Sequence, residues 1–124
     1  MPQISDITTG KQSVAAAGAV TGSLDTSAIT GDFTVRLRVS ALASGKRMII
    51  ALQDTANATP FSDAINQDVR QFVGEIVPSA PVEVSIQSYQ LPLLRYGAAN
   101  TKLRFNVLSV DGSPAGEVHG WLER

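Results

Sequence analysis

The sequence contains no cysteine and a single histidine, His119. The first absence excludes a disulfide scaffold, a Cys-based zinc site and a thiol nucleophile together. The second leaves little for acid–base work. A Ser-His-Asp arrangement would have to use His119, and no Gly-x-Ser-x-Gly elbow accompanies it. Beside Gly120 and Trp121 it reads as a partly buried structural residue. Asp54, Asp63 and Asp68 follow no EF-hand spacing, and Ser44-Gly45-Lys46 lacks the glycine spacing of a phosphate loop. No catalytic, metal or cofactor residue is therefore nominated, and the chain reads as a non-enzyme.

A basic excess is also missing. Ten Lys and Arg stand against eleven Asp and Glu, for a formal charge of −1. Nucleic-acid binding draws most of its affinity from neutralised phosphates, so that partner is not expected. The longest apolar runs are a few residues, such as Met48 to Leu52, and nothing is long enough to span a membrane. The opening Met1-Pro2-Gln3-Ile4-Ser5-Asp6 lacks the basic start and apolar run of a signal peptide, which predicts folding in a cytoplasm.

What is present is one domain's worth of β pattern. The 124 residues, 44% hydrophobic, suffice for one core. Phe33, Val35, Leu37 and Val39 alternate with Thr34, Arg36, Arg38 and Ser40, the period of a half-buried strand. Met48 to Leu52 reads as a strand buried on both faces. Thr55 to Asp68 is polar and contains Pro60, a long loop with room for a helical turn from Ser62 or Asp63. Val69 to Ile76 reads as a strand, although Ile65, Val69, Phe72, Val73 and Ile76 also fit a helix. Gly74 within it and Pro78 beyond it favour the strand. Val82 to Gln87 and Lys102 to Val107 alternate cleanly, and a last strand runs from Glu117 to Glu123. Turns are expected at 43–46 and 111–116, with Pro81 and Pro92 at strand entries or edges. The pattern predicts an all-β fold, a β-sandwich or jelly roll over residues 32–124.

Residues 1–31 differ. From Thr8 to Gly31 the chain is almost entirely Thr, Gly, Ser, Ala and Val. Such residues form weak strands that bury little area. They read as an extended arm, either ordered against a partner or serving as an ordinary edge strand.

Candidate contacts are few. Arg36 with Arg38, and Lys102 with Arg104, form outward pairs that would make a basic ladder if their strands were neighbours. They are either a solvated face or salt-bridge donors toward an acidic neighbouring subunit. Tyr89 and Tyr96 flank Leu91-Pro92-Leu93-Leu94 and are the pair on which a sugar ring could stack. Their plainer role is to cover one end of the sandwich. Phe33, Phe105 and Trp121 are assigned to the core.

The segment Ser85-Ile86-Gln87-Ser88-Tyr89-Gln90-Leu91-Pro92-Leu93-Leu94-Arg95-Tyr96-Gly97, then Lys102 to Val107, then Gly120-Trp121-Leu122-Glu123, resembles small sandwich proteins of tailed-bacteriophage virions, the capsid decoration (cement) proteins. The likeness covers roughly the C-terminal 40 residues, in a Tyr-x-Leu-Pro-x-x-Arg-x-Gly segment, a basic–apolar strand and a closing Trp-Leu-Glu. It implies a structural protein on the outer capsid surface that clamps neighbouring subunits. The implied partners are the major capsid protein, or another virion protein, and further copies of itself, in that family often a trimer. No catalytic residue or cofactor carries over. The alternative is a carbohydrate-binding or adhesive sandwich module.

Overall fold

Alternation along each strand decides which side chains reach the core. The computed structural model describes residues 3–40, 46–56, 59–76, 82–91, 101–111 and 116–124. The expected turns at 43–46 and 111–116, the prolines at 81 and 92, and Tyr96 fall wholly or partly outside them. Ten strands are described: β1 (Gln3–Asp6), β2 (Gln12–Val14), β3 (Gly18–Ala19), β4 (Leu24–Asp25), β5 (Thr34–Ser40), β6 (Met48–Ala56), β7 (Val69–Ile76), β8 (Val82–Gln87), β9 (Thr101–Val110) and β10 (Gly116–Glu123). One 3-10 turn, Ser88–Gln90, follows β8.

The strands form two antiparallel sheets packed face to face, so the chain is an all-β sandwich. Sheet A has the order β1-β10-β5-β8, with β2 also on β10; sheet B has the order β3-β9-β6-β7, with β4 also on β9. Strand β5 buries Val35, Leu37 and Val39, β9 buries Leu103, Phe105 and Val107, and β10 buries Val118 and Leu122. Their opposite faces carry the polar residues, as a two-residue period requires.

Residues 3–30 belong to this sandwich. β1 and β2 line the outer edge of β10, and β3 and β4 line that of β9. The segment thus crosses from one sheet to the other and covers both edges on one side. Ile7 and Val20 enter the core. Buried threonines fasten the segment at each sheet. The Thr8 hydroxyl accepts from the Gly120 amide at 3.0 Å and donates to the Gly10 carbonyl at 2.7 Å, while Ile7 and Thr8 amides donate to the Gly120 carbonyl. The Thr26 hydroxyl accepts from the Thr101 amide at 3.0 Å and donates to its carbonyl at 2.9 Å. Small side chains let the backbone lie close, and threonine supplies polar anchors where apolar area is scarce.

Two expectations change. β6 runs to Ala56, so Thr55 and Ala56, assigned to the long loop, are strand residues, and Asp54 before them is buried opposite Arg70. Trp121 shares the outward parity of Glu117, His119 and Glu123 and is half-buried on the outer face of sheet A. The inward position beside it is Gly120, which leaves room for Phe105.

Candidate protein-binding surfaces

The nominated cations lie on opposite faces of the molecule. Arg36 and Arg38 project from β5 in sheet A, Lys102 and Arg104 from β9 in sheet B. No single basic ladder forms, because the two strands belong to different sheets.

On sheet A, antiparallel register sets His119, Arg38 and Glu83 in one row and Trp121, Arg36 and Ser85 in the next. Arg36 donates to Ser85 Oγ at 2.8 Å and reaches Glu83 Oε2 at 3.4 Å. His119 Nε2 lies 2.9 Å from Asp6 Oδ1, and its ring meets that of Trp121 with centroids 4.8 Å apart. The Trp121 indole N–H donates to Glu123 Oε2 at 2.7 Å. Arg38 is exposed. The face therefore interleaves both charge signs around one indole. Such exposed pairs contribute about 0–1 kcal/mol each, so they orient side chains more than they stabilise the fold.

On sheet B the segment between β6 and β7 folds back over the strands. The Arg104 guanidinium stacks 4.8 Å from the Phe61 ring centroid, with Lys102 Nζ at 5.8 Å. Arg104 Nε donates to Gln53 Oε1 at 2.6 Å, and its terminal nitrogen meets Asp63 Oδ1 at 3.3 Å. Asn106 donates to the same Asp63 oxygen, and buried Gln53 donates to the Ser62 carbonyl. The Arg104 side chain is 17% exposed. It holds its own chain's loop in place and presents little surface to a partner.

Tyr89 stands on the 3-10 turn, 68% exposed, beside an open depression of about 300 Å³ lined by Thr26, Ile29, Asp32, Phe33 and Ser88. It does not cover the sandwich end; buried Leu91 lies in the core instead. Tyr96, the other half of the stacking pair, lies outside the described residues.

The sequence reading missed Trp121 and Phe61 as surface features, and the exposed apolar residues Phe72, Val73 and Leu108. Parity alone could have found Trp121. Phe61 carried no signal, because only the fold brings it over Arg104. Among the described residues no group of three or more His, Cys, Asp or Glu is placed to hold a metal ion, and no helix is long and apolar enough to cross a membrane. No family model, curated protein or solved structure matches the chain.

Proposed function

We propose that this chain is a structural virion protein of a tailed phage, binding the outer surface of the assembled head and stabilising contacts between capsid subunits. The observation that carries the reading is the outer face of sheet A. It presents Trp121, His119, Arg36 and Arg38 in adjoining rows, ordered by neighbouring carboxylates on one antiparallel sheet. Trp and Arg are the residue types that concentrate binding energy at protein interfaces. The resemblance in the C-terminal 40 residues supplies the setting. Many copies on one shell would turn weak single contacts into firm retention.

Co-sedimentation with the phage's own heads tests this. Wild-type protein is expected to pellet with heads, whereas Trp121→Ala and Arg38→Glu lose binding with circular dichroism unchanged. Protein that stays in the supernatant at every salt concentration overturns it.

The exposure of Tyr89 beside a depression favours one second reading, a glycan-binding module, since an exposed ring is a stacking platform. A glycan array with hits abolished by Tyr89→Ala would establish it; an array without hits would remove it.

A further inference from the structure

Nothing among the described residues of a single copy explains why residue 74 is glycine. Gly74 lies within β7 and is not among the glycines with positive φ. A Cβ added there would meet no atom of the described residues within 4 Å. By contrast, Gly120 is required by Phe105, and Gly22 by the backbone of residues 7–9. Glycine inside a strand weakens it unless something approaches closely. The space it leaves is a slot of about 80 Å³ between the sheets, lined by Leu37, Leu52, Phe72, Ile76, Val84 and Phe105. This slot opens between β7 and β8, which end the two sheet orders on the side away from the N-terminal segment.

β7 also exposes an apolar side chain on each face: Phe72 on the inward side is 37% exposed, and Val73 on the outer side is 49% exposed. Among the described residues its main chain has capacity to spare. The Val69 amide and carbonyl are both bonded to Asn66, and the Asp68 carbonyl accepts from Ala56 of β6. Antiparallel alternation then turns the amides and carbonyls of Gln71, Val73 and Glu75 away from β6, toward the edge. β7 pairs with no other strand among the described residues.

We propose that β7 pairs with β7 of a second copy, antiparallel across a two-fold axis through Val73. The register follows from two separate constraints. Outward main-chain groups must meet outward groups, and inward side chains must share the inward face, so odd residues oppose odd ones. With Val73 on the axis, Gln71 opposes Glu75 of the second copy, and the ladder gains about six main-chain hydrogen bonds. Moving the axis to Phe72 would call on Val69, whose groups are spent on Asn66. Moving it to Gly74 would set glycine against glycine and leave the slot empty.

On the Val73 axis, Phe72 opposes Gly74 of the second copy in a non-hydrogen-bonded pair, where strands bring side chains closest. Each ring covers the space the other copy's glycine leaves, the arrangement by which an aromatic residue rescues an edge glycine. The charges fit too. Glu75 faces an amide, no like charges oppose one another, and Arg70 keeps its place opposite Asp54. This contact does not depend on a role in a virion. It is a two-fold association and differs from the trimer that the resemblance implies.

Sedimentation equilibrium and cysteine cross-linking test it. Wild-type protein at concentrations on the order of 100 µM should sediment at twice the 13.1 kDa chain mass. Val73→Lys and Gly74→Val should raise the dimer Kd at least about ten-fold with unchanged circular dichroism, the first by opposing two ammonium groups, the second by closing the slot. The chain has no thiol of its own. Val73→Cys should therefore cross-link under mild oxidation, since hydrogen-bonded pairs place Cα atoms about 5.5 Å apart, within disulfide reach. Gln71→Cys should not, its two copies being about 14 Å apart along the strands. A monomeric or trimeric wild type, a Val73→Cys that fails to cross-link, or equal cross-linking at 71 and 73 overturns the proposal.

Discussion

The edge of the Phe105 ring occupies the space that a side chain on Gly120 would need. A Cβ at position 120 would sit 2.2 Å from Phe105 Cε2. This one large–small pairing joins β9 of sheet B to β10 of sheet A across the core. Gly120→Ala is expected to destabilise the fold by about 1–3 kcal/mol through overpacking. Phe105→Ala should cost about 3–5 kcal/mol through the cavity it leaves. Combined, the two should be less damaging than their sum, because each relieves the other. Urea unfolding of the single and double variants checks all three; strict additivity would mean the contact does not limit packing.

Trp121→Ala is expected to cost about 1 kcal/mol or less, since its ring lies on an outer sheet face and gives up the His119 ring contact and the Glu123 hydrogen bond. The same unfolding experiment decides this. A loss comparable with that of Phe105→Ala would put the indole in the core.

Two buried threonine hydroxyls fasten the N-terminal segment beside its apolar anchors Ile7 and Val20. Thr8→Val removes the acceptor of the buried Gly120 amide, and an unsatisfied buried donor costs about 1–3 kcal/mol. Hydrogen exchange at the Gly120 amide should quicken accordingly. Thr26→Val should act in the same way at Thr101. An unchanged exchange rate would show that water replaces the hydroxyl at no cost.

Arg104 and Arg38 should behave differently despite their similar sequence context. Arg104→Ala loses the Phe61 stack and the Gln53 and Asp63 contacts, so residues 59–63 should become sensitive to limited proteolysis, with about 1 kcal/mol lost in stability. Arg38→Ala, at an exposed position, should stay within about 0.5 kcal/mol of wild type. Equal protease resistance in both variants would show that Arg104 does not anchor the loop.

Much of the fold was legible because two-residue alternation is a local property. The strands at Val69–Ile76 and Val82–Gln87 have the bounds read from the sequence, and the inward sets of β5 and β9 follow from parity. Trp121 follows that same parity to the outer face, against its assignment to the core. The segment before Asp32 was harder, since strands of two to four residues show no period.

The sequence by itself determined that the chain is all-β, that it has no thiol chemistry, and that Arg36, Arg38, Lys102 and Arg104 face outward. Only the tertiary structure decided which outward residues share a face. It separated the two basic pairs, seated Phe61 on Arg104 and set Gly74 beside an open slot. The physical reason is one of range. Side-chain direction follows from neighbours in sequence, whereas sheet order and register depend on contacts between residues far apart along the chain, as in the meeting of Gly120 with Phe105.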